Sequence, residues 1–75
     1  MNKYIWAEYR SEFGYPTIKQ VVCRNYTDAI EKVSELYENE LDEEIQFDGS
    51  WEDLCDSLDG FDIILGDKLL DIEEL

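Results

Sequence analysis

The stretch "NYTDAIEKVSELYENEL" (residues 25–41) decides the fold, because it predicts an amphipathic helix more clearly than any other part of the chain. Its apolar side chains recur at helical spacing and form one stripe of Ala29, Ile30, Val33, Leu36 and Tyr37. Thr27 is the expected N-cap. At about 100° per residue, the opposite side carries the carboxylates of Asp28, Glu31, Glu35 and Glu38. The helix therefore needs a surface on which to bury its stripe, and it presents acids on its other side.

The segments before this helix predict an antiparallel β-hairpin. "KYIWAEYR" (3–10) and "TIKQVVCR" (17–24) are both rich in aromatic and β-branched residues, which favour strands. Alternation places Tyr4, Trp6 and Glu8 on one face of the first strand. The connection between the two strands contains Gly14 and Pro16, which are typical of a turn.

The segments after the helix predict a short strand and a second helix. "EEIQF" (43–47) is expected to be a strand with Ile45 and Phe47 pointing inward. "SWEDLCDSLDG" (50–60) predicts a helix that Ser50 caps, with Asp53 as a capping-box partner and Gly60 at its end. Its apolar face contains Trp51, which we expect in the core, and its other face is acidic.

The C-terminal stretch "FDIILGDKLLDIEEL" (61–75) predicts two strands, 61–65 and 68–72, joined by a two-residue turn at Gly66 and Asp67. With these strands, the order of elements is β-β-α-β-α-β-β. The sequence therefore predicts one small, acidic α+β domain over residues 1–75, with a mostly antiparallel sheet and two amphipathic helices packed on it.

Charge is the most unusual property of the chain. Its net charge is −14, from 20 acidic and 6 basic residues among 75, whereas about 2 to 8 charges are enough to keep a small domain soluble. The first 24 residues hold four of the six cations, and residues 25–75 hold almost all of the acids. Solubility does not explain such a surplus, which opposes folding by self-repulsion.

The residue types present in the chain exclude several kinds of functional site. The chain has no His, which removes imidazole acid–base chemistry and His-containing nucleophile and zinc sites. Cys23 and Cys55 lack C-x-x-C spacing, so we interpret them as reduced, small hydrophobic residues rather than as a disulfide. No carboxylate pair is singled out as an acid–base couple, and the acidic segment around Asp48 and Gly49 departs from the EF-hand pattern. We therefore expect no catalytic site, metal site or cofactor.

The N-terminal sequence lacks an apolar run of signal-peptide length, and no stretch has the roughly 20 apolar residues of a membrane span. We expect a cytoplasmic protein. Its negative charge should be repelled by lipid headgroups and by phosphates, so direct binding to membranes or nucleic acid is not expected.

Two interpretations of the acidic residues remain. They are solvated helix faces with no further role, or they form a binding surface for a basic protein. Ordinary helix faces mix Glu with Lys because pairs at i, i+4 spacing are stabilising, and the second predicted helix has no cation. This scarcity favours a binding surface made of Asp28, Glu31, Glu35, Glu38, Glu40, Asp42, Glu43, Glu44, Glu52, Asp53, Asp56 and Asp59. Tyr26 and Tyr37 are the expected exposed aromatic anchors.

The resulting hypothesis is a non-enzymatic inhibitor that occupies the DNA- or RNA-binding surface of another protein by mimicking nucleic acid. Small acidic inhibitors of restriction enzymes or CRISPR effectors, commonly encoded by phages and active in the host cytoplasm, are similar in composition. An immunity protein or antitoxin against a basic nuclease is an alternative. A further alternative is an adaptor subunit that binds through the edge of the hairpin, where four cations collect: Lys3, Arg10, Lys19 and Arg24. The sequence leaves the oligomeric state open.

Overall fold

Two helices lie on one face of an antiparallel sheet in the computed structural model, which describes residues 1–74; Leu75 lies outside the described residues. The elements are β1 (Asn2–Tyr9), β2 (Thr17–Cys23), α1 (Tyr26–Leu41), α2 (Trp51–Asp59), β3 (Ile64–Leu65), β4 (Leu70–Asp71) and a 3-10 turn (Ile72–Glu74). The predicted α+β fold class is confirmed.

Strand β1 is central in the sheet. It pairs with β2 in an antiparallel register that runs from Asn2 opposite Cys23 to Glu8 opposite Thr17, as the hairpin prediction required. On its other edge, β1 pairs antiparallel with both β3 and β4. The inward face of β1 carries Tyr4, Trp6 and Glu8, all of which are buried.

The core lies between this face of the sheet and the two helices. Tyr4 and Trp6 share one buried cluster with Val33 of α1 and with Leu54 and Leu58 of α2. The Trp6 ring meets both helices edge to face, with its centroid 6.5 Å from that of Tyr37 and 6.3 Å from that of Trp51. This geometry is the favourable one for aromatic rings. The prediction that Trp51 is a core residue is confirmed, since its side chain is 5% exposed.

The predicted strand at 43–47 is wrong, because this segment does not pair with the sheet. Side chains satisfy its backbone instead: the N–H of Ile45 donates to a carboxylate oxygen of Glu38 at 2.9 Å, and the carbonyl of Gln46 accepts from the Ser57 hydroxyl at 3.0 Å. Ile45 is nevertheless buried and Phe47 is half-buried. The alternation of apolar residues correctly predicted that Ile45 and Phe47 point inward, but these residues are buried without belonging to a strand.

The predicted C-terminal hairpin is also wrong. Strands β3 and β4 both pair with β1, so residues 64–71 run along one edge of the sheet. Residues 66–69 face only Trp6 and Ala7 of β1, which makes Gly66 and Asp67 part of a bulge rather than a hairpin turn. The N–H of Gly66 donates to the Ala7 carbonyl at 2.8 Å. Pairing with the free edge of β1 replaces pairing between the two short strands.

The helix caps differ in detail from the predicted ones. Asn25, rather than Thr27, is the N-cap of α1, and its side-chain oxygen accepts from the Asp28 N–H at 2.9 Å. Ser50 caps α2 as predicted, at 3.1 Å from the Asp53 N–H, and Gly60 is the C-cap. The Asp53 carboxylate accepts from the Asp48 N–H instead of returning to Ser50.

Candidate functional site

The carboxylates that the sequence assigns to a binding surface divide into an exposed set and an internally bonded set. The exposed set, hereafter the acidic face, lies on the outer sides of α1 and α2 and in the connection between them. It consists of Glu31, Glu35, Asp42, Glu43, Glu44, Glu52, Asp56 and Asp59. Lys32 reaches Glu35 at 3.9 Å, and within residues 1–74 the other side chains of this set have no hydrogen bond or ion pair.

Four of the predicted carboxylates are bonded within the protein instead. Asp28 pairs with Arg24 at 3.0 Å, and Glu40 pairs with Arg10 at 2.5 Å. Glu38 and Asp53 accept the backbone N–H groups of Ile45 and Asp48. The contacts of Glu38 and Asp53 hold the connection between the helices in place. The four side chains therefore support the acidic face rather than belong to it.

Acidic residues also lie where they oppose helix stability. The last turn of each helix contains no basic residue, and α2 ends with Asp56 and Asp59. The C-terminal end of a helix carries partial negative charge, so a carboxylate there costs stability. Glu52 and Asp53 in the first turn of α2 are favourably placed by the same rule. The acids at the helix end are thus not explained by the stability of α2.

An ionic network around the buried carboxylate of Glu8 includes two of the six cations. Glu8 is 3% exposed and pairs with Arg10 at 2.6 Å and with Lys19 at 3.5 Å. Arg10 continues to Glu40, so the network ties the hairpin to the end of α1. Burial by itself lowers the pKa of Arg10, but the hydrogen bonds to Glu8 and Glu40 outweigh it and raise the pKa.

The network was not foreseen, although the sequence contains a signal for it: Glu8 alternates onto the same strand face as Tyr4 and Trp6. A carboxylate on a buried face needs cations close by. Arg10 and Lys19 serve this purpose, and Arg24 pairs with Asp28. The cations of the hairpin are therefore largely turned toward internal carboxylates, and Lys3 is the member of that group without an ion pair in the described chain.

The two predicted aromatic anchors, Tyr26 and Tyr37, differ in their exposure. Tyr26 is 44% exposed, as expected for a contact residue. Tyr37 is 4% exposed, and its hydroxyl accepts from the Trp6 indole N–H at 3.0 Å, so the prediction that it is an exposed anchor is wrong. Its position on the apolar stripe of α1 explains its burial. Burial also raises the pKa of Tyr37.

Among the exposed aromatic residues that sequence reasoning missed, Phe13 and Tyr15 are the most exposed, at 50% and 65%. Both lie in the connection between β1 and β2 and line a surface depression together with Arg10 and Glu40. They therefore stand next to the C-terminal end of α1. Their placement on either side of Gly14 and just before Pro16, in a segment predicted to be a turn, was the available signal for exposure.

Both cysteines are free and half-buried, and they pack against the edge of the core. Burial, followed by the nearby carboxylates of Asp56 and Asp67, raises the pKa of Cys55 to about 11. Burial also raises the pKa of Cys23. A raised pKa leaves little thiolate at neutral pH, so neither residue is activated as a nucleophile.

Within the described residues, no three Asp, Glu or Cys side chains converge closely enough to hold a metal ion. None of the helices formed by residues 1–74 has the length and apolar content needed to cross a membrane. In comparisons with protein-family models, with curated proteins and with solved structures, nothing matches this chain.

Proposed function

We propose that this protein is a non-enzymatic inhibitor whose acidic face occupies the basic, nucleic-acid-binding surface of another protein. One observation carries the proposal: the carboxylates of the acidic face are exposed and almost without cations, while Arg10, Lys19 and Arg24 pair with carboxylates elsewhere. The eight carboxylates of the acidic face are thus largely unneutralised by the cations of the described chain. A surface rich in Lys and Arg is the complementary partner.

The spacing of the acids supports a surface that holds phosphates as the target. Glu31 and Glu35 are one helical turn apart, which puts their side chains about 5 to 6 Å from each other. Lys and Arg side chains arranged to bind successive phosphates can make charge-assisted hydrogen bonds to such carboxylates. The inhibitor would act by competition, because the same cations cannot bind it and nucleic acid at once.

Charge provides fast association, and apolar contacts add affinity. Phe13 and Tyr15 are suited to this second role, since they are exposed beside the end of α1. Tyr26 is a further candidate at the start of the same helix. We expect these aromatic rings to contact the apolar rim of the basic site.

The proposal is tested by capture of a partner at low salt with two variants of equal charge. Glu35→Lys with Asp56→Lys reverses one acid on each helix, and Glu12→Lys with Glu73→Lys makes the same change at exposed positions outside the acidic face. We expect the first variant to lose a basic nucleic-acid-binding partner that wild type and the second variant retain. Equal retention by both variants would contradict the proposal. An antitoxin would use the same face, and a toxin nuclease as the captured protein would identify that case.

A further inference from the structure

The face of the sheet that the helices do not cover is apolar. On this open sheet face, the side chains of neighbouring strands lie side by side: Ala7 beside Ile18, and Ile5 beside Leu70. Ile18 is 67% exposed and Val22 is 54% exposed. We define the open sheet face by Ile5, Ala7, Ile18, Val22, Ile64 and Leu70.

The open sheet face is also free of acids, although acids make up 20 of the 75 residues. The outward positions of β1 and β2 hold Lys3 and Gln20 besides the apolar residues, and no Asp or Glu. A depression of about 350 Å³ on this face is lined by Ile5, Ala7, Ile18 and Leu70, and Asp67 and Lys68 also line it. Asp67 is the acid among the residues that line this depression.

We propose that the open sheet face is the contact surface of a weak homodimer in which two copies pack sheet to sheet. A second copy of a chain with a net charge of −14 is repelled wherever carboxylates would meet carboxylates. Contact through the open sheet face brings together mainly apolar side chains, and the charged groups beside it include Lys3, Lys68 and one acid, Asp67. It also leaves the helices, which pack on the opposite face of the sheet, pointing away from each other.

The size of the face sets the expected strength of the dimer. β1 has eight residues; at about 3.4 Å per residue, and with three strands about 4.8 Å apart, the footprint is roughly 27 by 14 Å, or about 400 Å². A typical stable interface buries about 800 Å² per partner. The footprint lies within the range of about 300 to 600 Å² that is typical of the largest apolar patch on a monomer, and such patches are often functional. Because this footprint is about half of the area of a typical stable interface, a weak and reversible dimer is expected.

Sedimentation equilibrium of the full chain, from about 5 µM to about 1 mM, tests the proposal. We expect a mass that rises with concentration from 8.9 kDa toward twice that value. Added salt should strengthen the association, because it screens repulsion between the two acidic chains. Binding of a basic partner through the acidic face should instead weaken with salt, so the two proposals can fail independently.

Variants locate the contact. Ile18→Glu should keep the protein monomeric at all concentrations, and the milder Val22→Thr, which retains a β-branched residue, should raise the dissociation constant about tenfold. Asn39→Glu, which adds the same charge at an exposed position on α1 outside the open sheet face, is the matched control and should weaken association much less than Ile18→Glu. Circular dichroism confirms that each variant is folded. The proposal is overturned if wild type remains a monomer at the highest concentration, or if folded Ile18→Glu associates as wild type does.

Discussion

Glu8 is the residue on which the arrangement of the hairpin and α1 depends most. Its carboxylate is almost fully buried and contacts Arg10 and Lys19, and Arg10 continues to Glu40. Removal of one charge from a buried pair leaves its partners without compensation, which is more costly than the pair is stabilising. The network therefore fixes side chains from three elements in one geometry.

Glu8→Gln should lower the free energy of unfolding by about 2 kcal/mol, because the neutral amide retains the shape of Glu but removes the buried negative charge that faces Arg10 and Lys19. Urea unfolding followed by Trp fluorescence measures this change. Glu12→Gln is the matched control at an exposed position, and it should stay within about 0.5 kcal/mol of wild type. Equal effects of the two substitutions would mean that the Glu8 network contributes nothing to stability.

The reactivity of the Cys55 thiol tests whether this side chain is partly buried as the structure shows. Its pKa is raised to about 11 from an ordinary value of 9.0, so the folded state favours the protonated form. The resulting stabilisation is fully present below about pH 9 and is lost as the pH rises toward 11. Alkylation of Cys55 by iodoacetamide, followed by mass spectrometry, should show a midpoint near pH 11 in the folded protein. A midpoint near 9 without denaturant would contradict this burial.

At the scale of elements, the α2 helix shows a conflict between stability and surface charge. Asp59 lies in its last turn, where a cation would be favourable, and Glu52 lies in its first turn, where an acid is favourable. Both side chains are exposed and outside any ion pair in residues 1–74. The two positions therefore allow the same charge change to be made at opposite ends of one helix.

Asp59→Lys should raise the free energy of unfolding by about 0.3 to 1 kcal/mol, and Glu52→Lys should lower it by a similar amount. Thermal unfolding should show the two melting temperatures moving in opposite directions by a few degrees, on the order of 4–8 °C per kcal/mol. Relief of the net charge alone would raise both melting temperatures. That result would contradict the assignment of an unfavourable charge to the end of α2.

The elements differ in how far the sequence predicts them. α1 and the β1–β2 hairpin follow from local patterns, since the apolar stripe of the helix and the strand alternation each select one structure. The structures of residues 43–47 and 61–72 depend instead on hydrogen-bonding partners elsewhere in the chain. The Glu38 carboxylate accepts a hydrogen bond from the backbone N–H of Ile45. The free edge of β1 pairs with the strands that contain Ile64 and Leu70. Such partners are distant in sequence, so periodicity alone did not identify them.

The candidate site follows the same division. Exposure of Glu31 and Glu35 was predictable from helical spacing, and burial of Tyr37 on the apolar stripe could have been inferred from the same spacing. The internal contacts of Glu38 and Asp53 depend on how the chain turns between the helices, which side-chain periodicity does not encode. Side-chain periodicity therefore identified the acids on the helices. Tertiary contacts determine which of these carboxylates remain exposed and free to bind a partner.

At the scale of the whole molecule, charge and apolar surface are separated on opposite sides of the sheet. The helices carry the acidic face outward, and the open sheet face is free of acids. Internal ion pairs occupy Arg10, Lys19 and Arg24. The molecule thus offers one surface to cations and another to apolar groups.

The most direct test of the proposed function is a competition measurement with the captured partner. The partner's own DNA or RNA is titrated into the complex, and the apparent affinity of the protein for its partner is measured at several salt concentrations. We predict that nucleic acid displaces the protein competitively and that affinity falls steeply as salt rises, because both ligands occupy the same cations. A ternary complex of partner, nucleic acid and protein, with an affinity that salt does not change, would contradict the account.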